Sequence, residues 1–405
     1  MIFLILFLFP LLILSSLLSG RILRKQPAAN YFRKKRTGQN MNSLLTCLTV
    51  SLFISVNTFA AFPAAGSQPD SINDGPYIFY YHNKLEAKWI ENNIFRNDAI
   101  SQNNFPQLKN KFNLLFEYKD LLNTRIIKPN YKQYFTGIDS FAAISDIHGE
   151  YKKYIRLLKS MKIIDENLNW IFGKGHLVVL GDSFDRGDMV TELLWHLYGL
   201  EKQALLAGGM VHVLLGNHET MLFNQDTRYA NQKYVKVQEI SGITYFNLYS
   251  EESVLGQWLR NQPVILLIND IMFVHAGISI EMIRRKLDVE HINRIYSKML
   301  LKNEAESADA LADLSFLMNE NGPFWYRGFF NDQSFCESKT DSIFNFYDLN
   351  HIVVGHTTGK EIKTLFHNKV FGIDAGLGSN LPGAMLIYKD GSYYQGLPTG
   401  ARVKF

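Results

Sequence analysis

The chain has 405 residues, 47% of them hydrophobic and 20% charged, enough apolar material for a sizeable core and too much for a disordered chain. Its formal charge of +4 is uneven: seven basic residues and no acidic one lie before residue 70, and subtracting seven from four leaves the rest at −3. A body of that sign lacks the basic stripe that neutralises phosphates along a nucleic acid, so nucleic-acid binding is set aside.

Residues 1–66 read as a targeting segment. The run "MIFLILFLFPLLILSSLL" is followed by the basic stretches "RILRK" and "RKKR", then by a second apolar run, "LLTCLTVSLFISVNTFAAF", with small residues Ala60, Ala61 and Ala64 at its end. Three readings compete: a true start at Met41, a long signal peptide, or a membrane hairpin whose basic loop stays cytoplasmic. Export by the second run is favoured and makes the protein periplasmic or secreted. The alternative is a membrane-anchored protein with its catalytic domain outside the cytoplasm, associated with the membrane through the N-terminus only.

Residues 67–136, rich in Asn, Lys and aromatics, carry weak periodicity and no cluster of reactive side chains. They read as an extended lead, then a partly helical segment, packing on the main domain. From residue 137 to 405 the pattern is that of an α/β catalytic domain. The short runs "FAAIS", "HLVVLG", "MVHVLLG", "MFVHAG" and "HIVVGH" read as strands, with helices over 150–160 and 188–206 between them. Periodicity alone places these strands in one shared sheet with their C-terminal ends at one rim, where ligand sites form. "NQPVILLINDIMFVHAG" predicts a hairpin turning at Asn269 and Asp270.

The strand ends carry "SDIHGE", "GDSFDRGD", "GNHE", "VHAG" and "VGHTTG". Each supplies Asp, His or Asn and none a thiolate, a donor set suited to hard or borderline divalent cations such as Mn, Fe or Zn. Asp146 and His148 alternate, so on an extended segment both face one side. Singly, each motif has an ordinary reading: Asp182, Asp185 and Asp188 as caps of the helix beginning near 188, and His275 as a core histidine. Their conjunction argues otherwise for all but Asp188, which keeps the reading as a cap, because four of the eleven histidines (148, 218, 275 and 356) stand at predicted strand ends close to glycine. Cysteine chemistry offers no rival. Of the two cysteines, Cys47 lies in an apolar run, and Cys336 is followed six positions later by Ser342, where a cysteine-dependent phosphatase needs an arginine.

In order and spacing, the five motifs resemble those of the calcineurin-like metallophosphoesterases across roughly residues 138–390. The resemblance implies a two-sheet β-sandwich flanked by helices, with a dinuclear metal site at the strand ends. Position by position it implies Asp146 and His148 on the first metal, Asp182 bridging both, and Asn217, His275 and His356 on the second. It further implies His218 as general acid, Asp185 as the carboxylate that keeps this imidazole protonated and oriented, and Arg186 as the phosphate grip. Two such ions make hydroxide from a shared water at neutral pH, aimed at phosphorus, with no covalent enzyme intermediate. "GNHE" with the complete "DRG" is similar to the phosphoprotein phosphatase branch, whereas diadenosine tetraphosphate hydrolases commonly lack the Asp at position 185. "LAGGMVHVLLGNHETM", "PFWYRGFF" and "FGIDAGLG" resemble the bacterial Shewanella-like protein phosphatases, which adds Arg327 as a second phosphate ligand; the plain reading of "PFWYRGFF" is an aromatic core segment with a snorkelling arginine. Ser145 departs from the glycine usual there, at a position that is not a ligand. The expected activity is an exported, metal-dependent phosphomonoesterase acting on phosphotyrosine or phosphoserine/threonine in proteins or peptides. The alternatives are a hydrolase of nucleotides or other small phosphate esters, such as dinucleoside polyphosphates, and a non-catalytic metal-binding scaffold.

Overall fold

The computed structural model describes residues 71–82, 84–124, 129–301 and 307–405; the apolar runs and targeting role assigned to residues 1–66 lie outside the described residues. None of the described helices is long and apolar enough to cross a membrane.

The stretch read as an extended lead is an antiparallel meander of β1 (Asp74–Tyr81), β2 (Lys84–Glu91) and β3 (Ile94–Ile100), followed by helices α1 (Phe105–Phe112) and α2 (Tyr118–Thr124). Asn92 and Asn93 join β2 to β3 with φ of 51° and 62°, the left-handed pair that a tight hairpin requires and that asparagine tolerates. Ile78, Leu85, Ala87 and Ile90 of the meander are buried in the same cluster as α4 (Val190–Leu206), whose Trp195 donates its indole N–H to Pro76 O at 2.7 Å.

The five predicted strands form, but in two sheets instead of one. Strands β5 (Ser140–Ile144), β6 (His176–Val179) and β7 (Met210–Val213) run parallel, and β13 (Met385–Lys389), β14 (Ser392–Gly396) and β15 (Arg402–Lys404) extend that sheet antiparallel beyond β5. The second sheet has the order β11 (Lys363–Leu365), β12 (Val370–Gly372), β10 (His351–Val354), β9 (Ile271–Val274), β8 (Ile265–Ile268), β4 (Tyr134–Phe135). The β8–β9 hairpin turns at Asn269, φ 56°, and Asp270.

Alternation along each strand explains why the runs are apolar throughout. Phe141, Ala143 and Val178 of one sheet face Leu266, Phe273 and Val353 of the other, all fully buried. The intervening residues point outward: Ala142, Ile144, Leu177 and Val179 meet α3 (Tyr151–Ser160), α4 and the meander. Met272, Val274, Ile352 and Val354 meet the helical layer of residues 280–347. Phe273 stands edge-on to Phe141 at 5.2 Å between the sheets. Truncating it to alanine would cost about 3–5 kcal/mol, because neither sheet can collapse into the space.

Candidate active site

All the predicted site residues except Arg186 and Arg327 are buried at the C-terminal ends of β5, β6, β7, β9 and β10, drawn from both sheets. Asp182 lies at the centre. Its Oδ2 is 3.6 Å from His148 Nε2 and 3.9 Å from His218 Nε2, and its Oδ1 is 3.5 Å from His275 Nε2. Two groups of metal-ligating geometry share it: His148, Asp182 and His218, and Asp182, His275 and His356.

Three of the four imidazoles, those of His148, His275 and His218, are aimed by a backbone carbonyl or a carboxylate. His148 Nδ1 lies 2.8 Å from Phe184 O and His275 Nδ1 lies 2.7 Å from Leu180 O. A carbonyl only accepts, so in the neutral rings Nδ1 carries the proton and Nε2 offers its lone pair inward. His275 Nε2 then faces Asn217 Oδ1 at 2.8 Å and His356 Nδ1 at 3.2 Å. The Nε2 atoms of His148 and His356 are buried without any hydrogen-bond partner. Burial drives His148 down to about 3 against the pull of Asp146, and drives His356 down to about 2 with His275 and Arg327 acting the same way. Burial also pushes the Asp182 carboxyl well above its usual range, with the attraction of His218 opposing and the Asp146 charge adding. Neutral imidazoles with unused lone pairs around a carboxylate form a site short of positive charge, and this donor set fits divalent cations.

Asp146 is set slightly apart: its Oδ2 accepts from the Ser145 hydroxyl and from His356 N–H at 2.9 Å. Ser145, the departure from glycine, thus orients the adjacent candidate ligand. His218 Nδ1 lies 2.6 Å from Asp185 Oδ2. Burial works against charge on His218, but the Asp185 hydrogen bond and the Asp182 and Asp185 charges outweigh it, and its pKa is raised. Arg186 and Arg327 are exposed beside the cluster, and neither guanidinium forms an ion pair among the described residues. Arg327 Nη1 donates to His356 O at 2.7 Å, so it sits at the rim and is not a snorkelling core arginine.

Asp182 and Asp185 are not helix caps, and neither is Asp188. The N-cap of α4 is Met189, and the Asp188 carbonyl accepts from Lys233 Nζ at 2.6 Å and from Tyr234 Oη at 3.3 Å. Six site residues adopt left-handed backbone without being glycine: Asp146 (53°), His148 (48°), Asp182 (55°), Asp185 (68°), Arg186 (60°) and His356 (62°). Each such conformation costs roughly 1 kcal/mol or more, and strain of this kind gathers where side chains must be aimed.

Sequence reasoning missed Glu219. Its carboxylate accepts the backbone N–H groups of Asp182 at 2.9 Å, Ser183 at 2.7 Å and Gly216 at 2.7 Å, tying the β6 loop to the start of α5 (Asn217–Phe223). The available signal was its place three residues after the helix cap, the spacing of a capping box. Also unforeseen were Trp325, edge-on to His356 at 5.9 Å, and Tyr229, 5.5 Å from the His218 ring.

An α/β sandwich that brings carboxylate, imidazole and amide ligands together around a shared aspartate at its strand ends defines a metallophosphoesterase. The chain belongs to the calcineurin-like phosphoesterases, whose family model matches residues 140–359. It is 35% identical to a cold-active protein-tyrosine phosphatase of a psychrophilic Shewanella, with a TM-score of 0.72 over 82% of this chain and 99% of that one. It is 27% identical to Shewanella-like protein phosphatase 1 of Plasmodium berghei over 58% of this chain, and 30% identical to Shewanella-like protein phosphatase 2 of Arabidopsis thaliana over 35%. Those matches span 66% and 32% of the relatives' own lengths, under two thirds in both cases.

Proposed function

We propose that this protein is a metal-dependent phosphomonoesterase that removes phosphate from phosphorylated protein side chains, phosphotyrosine or phosphoserine/threonine. The observation that carries the reading is the His218–Asp185 pair beside an Asp182 carboxylate that stands close to His148 on one oxygen and to His275 on the other. Asp146, His148 and Asp182 would hold one cation and Asp182, Asn217, His275 and His356 the other, with Mn, Fe or Zn suited to the donors. Cations held there would supply Lewis acidity, to acidify a water and to offset charge on the phosphoryl group. The unpaired guanidinium of Arg186, joined by Arg327 from the opposite loop, grips the phosphoryl oxygens through paired N–H donors. With Nδ1 held by Asp185, His218 presents Nε2–H to the departing oxygen and gives it the proton that an alkoxide requires.

A second reading, hydrolysis of dinucleoside polyphosphates, draws support from a 30% identity to the symmetrical bis(5'-nucleosyl)-tetraphosphatase of Buchnera aphidicola over 34% of this chain. A panel of phosphotyrosine, phosphoserine and phosphothreonine peptides against diadenosine tetraphosphate, with Mn, Zn and Fe compared, separates the two. Faster turnover of the dinucleotide would overturn the protein-phosphatase reading. Metal analysis is expected to find two ions per active chain, and Asp182→Asn to lower both metal content and activity. One ion per fully active chain would end the shared-aspartate scheme.

Domain boundaries near residues 66 and 136, and export to the periplasm or medium, belong to the same proposal. N-terminal sequencing of the mature protein checks cleavage; an intact residue 1 would exclude it.

A further inference from the structure

Beneath the meander lies a cavity of about 460 Å³ walled by Trp89, Phe112, Tyr151 and Trp195 and by the carboxylates of Asp74 and Glu192. On one wall carboxylates outnumber ammonium groups. Lys233 Nζ lies 2.6 Å from Asp74 Oδ1 and 3.6 Å from Glu192 Oε1, so two carboxylates share one ammonium. Lys111, the cation on the opposite wall, is held by Glu91 at 2.7 Å with its Nζ 4.9 Å over the Trp89 ring. Glu192 Oε2 is buried without a hydrogen-bond partner, and burial together with the Asp74 charge pushes this carboxyl up to about 7. His196, almost wholly buried on the same wall, contacts Tyr154 Oη through Nδ1 at 3.1 Å.

A hard metal ion wants several convergent oxygens. Among the described residues the metal-ligating groups lie in the active site, not here. Aromatic faces around an uncompensated carboxylate instead suit a cation with an apolar body. We propose that this cavity binds a small organic ammonium ion, its N–H groups on Glu192 and its body among the four aromatic rings.

The occupant would touch both catalytic loops from behind. Tyr151 follows His148 by three residues, and Met189 follows Arg186 by three. Met189 N donates to Gly149 O at 3.2 Å, and Lys233, which shares the carboxylates, donates to Asp188 O. None of the cavity residues is assigned a part in phosphate hydrolysis, so the two sites are separable by experiment.

Phenethylammonium and its neutral analogue 2-phenylethanol serve as probes, titrated calorimetrically at pH 8 into the full chain with its metal ions. Saturable binding of the ammonium, at least tenfold tighter than the alcohol, is expected. Glu192→Gln should weaken it at least tenfold, whereas Lys111→Met should tighten it by vacating the Trp89 face and removing a competing positive charge from the wall. Hydrolysis of p-nitrophenyl phosphate by each variant reports that it is folded, and should Glu192→Gln fail to fold, the exposed Lys111→Met carries the test alone. No saturable binding to the wild type, equal binding of the two probes, or both variants moving the affinity the same way would overturn the proposal.

Discussion

Replacing Asp185 by Asn isolates one electrostatic element of the site. The amide keeps an oxygen facing His218 Nδ1, where the carboxylate now stands at 2.6 Å, but removes the charge. A hydrogen bond with a charged partner contributes about 1.5–3 kcal/mol, so its loss lowers the availability of the His218 proton by roughly 10- to 150-fold. The sign follows from the forces on this imidazole. Burial alone depresses its pKa, and the Asp185 bond with the neighbouring carboxylates reverses that. In the variant burial prevails, so the alkaline fall in rate should move toward acid pH. The assay is kcat/KM between pH 5.5 and 9 on a phosphoserine peptide and on p-nitrophenyl phosphate, at matched metal content. The peptide should lose 10- to 150-fold and the nitrophenyl ester far less, since nitrophenolate leaves without a proton. Equal losses on both substrates, or an unmoved alkaline limb for the peptide, would refute His218 as the proton donor.

Arg186→Lys keeps the charge but loses the two-pronged grip; kcat/KM should fall about tenfold, the equivalent of one charged hydrogen bond, while Tm stays put because the side chain is exposed. A shift in Tm with unchanged kinetics would reverse that assignment. Gly216→Ala places a Cβ against the Asp182 carboxylate, 2.6 Å from Asp182 N and 2.9 Å from His275 Cε1, where backbone and ligands cannot give way. It should cost about 1–3 kcal/mol of stability and displace Asp182, read as fewer metal ions per chain. His176 and His212 face each other at 2.9 Å, and burial pushes His176 down to about 4 and His212 well below its usual value. The unfolded chain therefore binds protons that the folded chain refuses, and stability should fall as pH drops from about 6.5 toward 4, by about 1.4 kcal/mol per pH unit for His212 alone. Urea unfolding of His212→Phe should show a shallower slope; a slope equal to the wild type's would sink the idea.

The strands and their polar ends were legible because a buried strand must be apolar while its rim need not be. Their division between two sheets was not legible from periodicity, since four-residue runs such as "HLVV" and "HIVV" look alike in either sheet; the family resemblance supplied it. Side-chain identity pointed to the cluster around Asp182, but spacing carries no φ, so the left-handed backbone at Asp146, His148 and His356 left no trace. Glu219 stayed hidden because its partners are backbone N–H groups, which every sequence has. The meander was read as a lead because β1 is buried at five successive positions, Asp74–Ile78, and so lacks alternation, although Asn92-Asn93 marked its second turn.

The contacts that aim the candidate ligands are made by the protein alone: Phe184 O and Leu180 O on two imidazoles, Ser145 on Asp146, and Glu219 across three backbone amides. Such a framework is expected to fold before it takes a metal, in contrast to small zinc domains that unfold without theirs. A chelator should silence such an enzyme and leave it folded, and added metal should restore it without a refolding step. Imidazole, carboxylate and amide donors accept several divalent ions, so occupancy would be set as much by local metal availability as by the amino acids that line the site.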